Sequence, residues 1–290
     1  MHLQAASGQF QVQLRADGRS EHTRKQYERH VRALIGWLAG TDHGAEVESL
    51  TPAIIAAFLA SPEATSSAHG GTKKASSANA MRTSIRCFCR WAHESGLVGA
   101  NPARLLRRAR CSPPPPNALH ADEQARLLEV LDAAQGKAAE RDRALVYLLL
   151  HAGIRIGSAV ALDTEDIDFV HGELHLRSAK NDTRTTAVLP ATADEPLRQL
   201  VGKRTTGPVF LAGERRVSLR NAQRRIAGWL AAAGIKGRSA HSLRHSFATG
   251  LLARTGDLRL VQAAMGHRSI VSTTVYAAVD RARLRAAVGA

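Results

Sequence analysis

His241-Ser-Leu-Arg244-His245-Ser-Phe-Ala-Thr-Gly-Leu-Leu252 has the pattern of a helix with two faces. At about 100 degrees per residue, His241, Arg244, His245 and Ala248 fall on one side, and Leu243, Phe247, Gly250 and Leu251 on the other. A guanidinium beside an imidazole on a buried helix can grip a phosphate oxygen and supply a proton or hydrogen bond to it. Taken alone, the same residues also suit polar groups satisfied within a core. His241 and His245 have the i, i+4 spacing of a helical metal pair. Arg244 between them, the basic surroundings and the lack of a nearby carboxylate argue against a bound cation.

Working outward, Met265-Gly266-His267-Arg268-Ser-Ile-Val-Ser-Thr-Thr-Val-Tyr276 supplies a second imidazole and, nine positions beyond it, a phenol. Upstream, His151-Ala-Gly-Ile-Arg155 supplies a second arginine. Between the arginines the hydrophobic period changes. Alternation at Ile167 and Phe169, at Leu174 and Leu176, and around Val188, with His171-Gly172 and Asn181-Asp182 as turn signals, predicts a small antiparallel sheet. Helices are expected over 125–131, 141–151, 196–200, 219–230, 241–252, 258–265 and 272–279, with Gly234, Gly256 and Gly266 near helix ends. The fold class is therefore mainly α with a small antiparallel β-sheet.

A neutral phenol with a pKa near ~10 is a weak nucleophile, so attack on phosphate needs its developing charge met by fixed cations. Of the three tyrosines, Tyr27 sits at an apolar helical position and Tyr147 within an apolar run, both expected in the core, whereas Tyr276 follows Ser272-Thr-Thr in a polar helix. Because phosphoryl chemistry of this kind is largely positioning and charge compensation, no metal or nucleotide cofactor is required in principle.

In order and spacing these three stretches resemble the signature boxes of the tyrosine recombinase (phage integrase) family, and the chain looks Xer-like. The likeness covers nearly the whole chain, most tightly residues 145 to 280. It implies a helical, SAM-like core-binding domain followed by a mixed α+β catalytic domain. It also implies a site-specific DNA recombinase or integrase that cleaves and rejoins strands through a 3'-phosphotyrosyl intermediate and a Holliday junction. The implied partner is double-stranded DNA, bound by a homotetramer or by a heterotetramer with a paralogue, with no cofactor, ATP, metal or membrane. On the matching positions, Arg155 and Arg244 clamp the non-bridging phosphate oxygens, and His241 and His267 occupy the two histidine places. Lys180, in the second expected hairpin turn, protonates the leaving oxygen, and Tyr276 is the nucleophile. One departure stands out: the family usually carries an acid three residues after the first arginine, where this chain has Ser158. Two rivals fit the same residues. One is a type IB topoisomerase, which rejoins the strand it cut; the other is a DNA-binding regulator with a decayed site.

The amino-terminal third reads as helical. Thr23-x-x-Gln26 has the capping-box pattern, and Tyr27, Val31, Leu34 and Leu38 recur until Gly40. Thr51-Pro52 opens a second helix with Ile54, Ile55, Phe58 and Leu59, a polar loop is expected over 65–77, and Met81, Ile85, Phe88 and Trp91/Ala92 mark a third helix. On that helix Arg82, Arg86 and Arg90 recur every four residues, a stripe suited to DNA phosphates or simply to solvent. Four prolines after Ser112 favour an extended spacer, so the expected domains are 1–110 and 119–290 with a linker over 111–118.

Composition supports a polyanionic partner: 40 Lys and Arg against 25 Asp and Glu give a formal net charge of +15. Three cysteines, Cys87, Cys89 and Cys111, lack metal-ligand or disulfide-framework spacing. No apolar run approaches the ~20 residues of a membrane helix, and residues 1–14 lack a secretory pattern, so the cytoplasm is the expected location. The stretch 281–290, with Leu284 and Val288 at helical spacing, is expected to dock on a neighbouring protomer.

Overall fold

Leu3, Ala6, Phe10 and Leu14 form the buried stripe of a first helix, α1 (Leu3–Ala16), which was not expected from the sequence. Its apolar positions are diluted by Gln, Ser and Gly, so the local hydrophobicity is low although the spacing is helical. In the computed structural model the described residues are 1–67, 70–111, 117–177 and 184–266. The chain divides into two compact units, Met1–Ser112 and Pro113–Ala290.

In the first unit, α2 (Glu21–Ala39) starts one turn earlier than the Thr23 pattern suggested. Ser20 Oγ accepts from the Thr23 backbone N–H at 3.3 Å and so acts as the N-cap. The helix ends with Gly40 as its C-cap. Thr51 caps α3 (Pro52–Ala60) through its hydroxyl, and a short α4 (Pro62–Thr65) comes next. The third expected helix, α5 (Ala75–Glu94), begins within the stretch expected as loop. Phe10, Phe58 and Phe88 are fully buried at the centre, with the Phe10 and Phe88 rings edge to face at 5.4 Å. Tyr27 packs on this core, as expected.

The second unit begins with α6 (Ala121–Ala133) and α7 (Lys137–Tyr147), which runs on into a π-helical turn, Leu148–Ala152, and then α8 (Ile156–Ala161). Strands β1 (Ile167–Asp168), β2 (Glu173–Arg177) and β3 (Arg184–Val188) form an antiparallel sheet in the order β1-β2-β3. Leu174 is buried opposite Ala187, so β3 turns Ala187 inward and leaves Val188 three-quarters exposed. Val188 is therefore not the core residue of its strand, because the register sends alternate residues to opposite faces. Phe169 lies beyond β1 and packs on the core with the Arg198 guanidinium over its ring at 4.4 Å.

Helix α9 (Ala191–Val201) starts five residues before the expected Pro196, since Ala193, Leu197 and Val201 form a buried stripe that spans the proline. A hairpin unannounced by periodicity, β4 (Leu211–Ala212) with β5 (Arg215–Arg216), precedes α10 (Leu219–Ala232), α11 (Ala240–Thr255) and α12 (Leu258–Ala264). Asp142 on α7, almost fully buried, accepts from Arg225 Nε at 2.7 Å and Trp229 Nε1 at 2.8 Å and pins α10 to α7. The core around Leu127, Leu131, Leu149, Leu197, Phe210 and Leu243 supports α11 from beneath. Among the described residues no helix is long and apolar enough to cross a membrane.

In the first unit His30 on α2 is buried and its Nδ1 lies 2.8 Å from Ser84 Oγ on α5. Burial, and then the charges of Arg29 and Lys73, push this imidazole down to about 4. The unfolded chain binds the proton at higher pH than the fold does. The neutral histidine thus favours folding fully above about pH 6.5, and this contribution is lost as pH falls towards 4. The loss amounts to about 3 kcal/mol at most. Chemical denaturation of the whole chain at pH 7 and pH 4.5 is expected to show this loss, and His30→Gln should flatten it; an unflattened profile would assign the acid sensitivity elsewhere.

Candidate active site

Arg155 immediately precedes α8 as its N-cap residue and is exposed. Its position is set by an unusual approach. The π-helical turn carries buried Leu148, Leu149 and Leu150 into the core and ends at Gly153, whose φ is +64°. A Cβ at Gly153 would fall inside the ring carbons of Phe247 on α11. Glycine is thus needed twice here, for the left-handed backbone and for the close packing against the neighbouring helix. π-turns are rare and recur at functional sites, where one extra residue re-aims the chain beyond it.

Arg244 ties these segments together. It is 4% exposed, and its Nη1 donates to the Gly153 carbonyl while its Nη2 donates to the Met265 carbonyl at 2.6 Å. Gly153 lies two residues before Arg155, and Met265 two before His267. One guanidinium therefore holds the first signature stretch and the lead-in to the third against the second. The planar fork of arginine donors suits this double grip better than an ammonium would.

His241 stands in the first turn of α11, exposed as a residue, with its ring edge to face against His245 at 4.4 Å. Packing around the ring, and then the charges of Arg244 and Arg155, hold its pKa below the ordinary histidine value. Both arginine charges thus disfavour the protonated form of this imidazole. Of the six expected catalytic side chains, Arg155, His241 and Arg244 lie among the described residues, with Arg244 on the helix that carries His241 and bonded to the stretch that leads to Arg155. Lys180, His267 and Tyr276 lie outside the described residues, as do the turn at Asn181-Asp182 and the expected segments 272–279 and 281–290.

The two-faced pattern expected for α11 does not hold. Leu243 and Ala248 are buried, but so are Ser242, Arg244 and Ser246. The serines make this tolerable by bonding inward. Ser242 Oγ accepts from Ser239 N at 3.0 Å, and Ser246 Oγ donates to the Ser242 carbonyl and accepts from Leu119 N at 2.8 Å. Small hydroxyls at i and i+4 were the available signal that polar residues of this helix turn inward. A second supporting residue had no such signal: Arg216 Nη1 donates to the carbonyls of Val160 and Leu162 at 3.0 Å and stitches the end of α8 to β5. Ser158 is half-buried on α8.

In the first unit the expected arginine stripe is uneven. Arg86 is exposed, Arg90 is exposed with Glu94 3.8 Å away, and Arg82 is half-buried with one terminal nitrogen enclosed. Among the described residues no group of three or more His, Cys, Asp or Glu is placed to hold a metal ion.

Comparison with known proteins covers both units. Residues 117–283 match the model of the phage integrase family, and residues 8–96 match the phage integrase N-terminal SAM-like domain. The chain is 35% identical over 282 residues to tyrosine recombinase XerC of Mycobacterium bovis (strain BCG / Pasteur 1173P2), covering 93% of this chain and 92% of that one. In fold it resembles a lambda integrase dimer bound to a COC' core site, with a TM-score of 0.73 at 21% identity, covering 93% of this chain and 96% of that one. It also resembles a lambda integrase tetramer bound to a Holliday junction, with a TM-score of 0.72 at 20% identity over 93% and 78% of the two chains.

The approach of Gly153 to Phe247 gives a direct test of how the site is built. Gly153→Ala must adopt a disfavoured φ and displace a ring, which together cost roughly 2 kcal/mol or more. Thermal unfolding should show a midpoint several degrees lower, whereas an unchanged midpoint would mean that the ring yields freely to the added methyl group.

Proposed function

The chain belongs to the phage integrase family of tyrosine recombinases, and on that premise we propose that it is a site-specific DNA recombinase cutting and rejoining strands through Tyr276. The observation that carries this reading is the buried Arg244 bridge, which joins the stretches leading to Arg155 and His267 to the helix that carries His241. Two guanidinium charges near an imidazole whose protonated form they disfavour suit a phosphodiester in the act of gaining charge.

In this scheme Arg155 and Arg244 meet the non-bridging oxygens of the scissile phosphate. The Tyr276 oxygen attacks phosphorus, a Tyr276 O–P bond forms, and the bond from phosphorus to the 5' oxygen breaks. His241, whose protonated form is disfavoured, takes the phenolic proton; Lys180 gives a proton to the leaving 5' oxygen, and His267 hydrogen-bonds the phosphate. The phosphotyrosyl ester keeps the energy of the broken bond, so a 5'-hydroxyl from a second duplex reverses the step without ATP. Two such exchanges resolve a Holliday junction. A hydroxyl at Ser158 is too weak a charge partner to replace a carboxylate, so Arg155 relies on its place at the start of α8.

The first unit serves as the core-binding domain, with Arg82, Arg86 and Arg90 towards DNA, and the second is the catalytic domain. Four protomers, identical or shared with a paralogue, act on two double-stranded sites. The work is done in the cytoplasm, where the DNA lies. Relatives named for recombination and for complexes on a Holliday junction support this assembly.

A nicked suicide duplex carrying candidate sites tests the chemistry. Wild type should form a covalent protein–DNA band on a denaturing gel, Tyr276→Phe none, and Arg155→Ala at least ~100-fold less in the same time. A chelator should change nothing. A band that survives Tyr276→Phe, or that requires divalent metal, would refute the mechanism, and relaxed plasmid without exchanged partners would point to a topoisomerase.

A further inference from the structure

Among the described residues, two half-buried arginines serve the chain's own carbonyls: Arg143 binds those of Leu131 and Ala134, and Arg204 those of Leu200 and Val209. The run Arg107-Arg108-Ala109-Arg110 behaves differently. All four residues are exposed and outside regular secondary structure, and no hydrogen bond or ion pair joins these three guanidiniums to another described residue. Yet the backbone beneath them is firmly held. Asn79, buried on α5, accepts from Ala109 N through Oδ1 at 2.8 Å and donates from Nδ2 to Ala109 O at 2.8 Å. Its Nδ2 also reaches Cys111 Sγ at 3.2 Å.

A single carboxamide that meets both the N–H and the C=O of one residue copies the hydrogen-bonded pair of an antiparallel sheet and requires locally extended backbone. In such backbone Arg108 and Arg110 share one face, about 6.6 Å apart along the chain, and Arg107 takes the other. An irregular surface segment would ordinarily be mobile, and ordering it on a ligand would weaken binding. Here the ordering is done in advance by a buried amide that itself never reaches the surface.

We propose that Asn79 is a positioning residue that holds Arg107, Arg108 and Arg110 as a preformed strap against the phosphate backbone of DNA. The inference rests on the DNA-binding reading of the chain. The strap carries no base-reading geometry: its guanidiniums contribute sequence-independent affinity, which is the part of binding that salt removes. Asn79 adds no charge of its own, and its effect passes wholly through the three arginines.

The test is equilibrium binding of the full chain to a random-sequence duplex across a salt series. Arg107→Ala/Arg108→Ala/Arg110→Ala, all surface changes, should lower the slope of log affinity against log salt by about 2–3, at about 0.9 for each phosphate no longer neutralised. Asn79→Ala alone should weaken binding about five- to tenfold, and added to the triple variant it should weaken binding less than about twofold further. That coupling separates positioning from a general loss of structure, which would multiply with the arginine changes. Asn79→Asp, which keeps the acceptor but loses the donor, provides a second variant should the alanine fail to fold, and should fall between. A triple variant with the wild-type slope, or Asn79 effects that multiply fully, would overturn the strap while leaving DNA binding intact. Wild type that fails to bind the duplex at low salt would overturn both.

Discussion

The double hydrogen bond from Arg244 to the carbonyls of Gly153 and Met265 is the constraint around which the second unit is arranged. A buried guanidinium is tolerable only when its donors are met, and a buried carbonyl only when it is hydrogen-bonded. Each thus stabilises the other, and the cation sits where three chain segments converge. Because the segments far apart in sequence carry Arg155 and His241, the same bonds that hold the fold also hold the polar groups in one place.

The close approach at Gly153 makes that convergence possible. The π-turn before it drives three leucines into the core and delivers the chain to α8 at the angle that Phe247 permits. Further out, Arg216 fastens the far end of α8, and the Asp142 cluster fastens α10 to α7. Much of the high arginine content is therefore structural, not a surface field. Exposed arginines remain nonetheless, including Arg86, Arg107, Arg108 and Arg110.

The family and the fold class were more legible in the sequence than the packing. The three signature stretches stand out because an arginine, an imidazole and a phenol at fixed spacings have few other uses together. The strands at 167–168, 173–177 and 184–188 were legible from alternation, but the inward role of Ala187 over Val188 was not, since register depends on the partner strand. Helix α1 was hidden because small and polar residues dilute its stripe, and the cap of α2 was misplaced because both Ser20 and Thr23 have capping hydroxyls. The inward-turned polar residues of α11 were hidden as well. Periodicity assigns polar residues to a wet face, whereas Ser242, Arg244 and Ser246 bond inward. The latch from Asn79 to Ala109 joins residues thirty apart and leaves no local trace.

The most direct measurement pairs thermal unfolding with covalent capture of DNA for Arg244→Ala and Arg155→Ala. If Arg244 both builds and serves the site, its loss leaves two carbonyls unmet and lowers the midpoint by roughly 5–10 °C as well as abolishing capture. Arg155→Ala should abolish capture with the midpoint unchanged. An Arg244→Ala protein that unfolds at the wild-type temperature, or an Arg155→Ala protein destabilised equally, would contradict the central role given to that buried guanidinium.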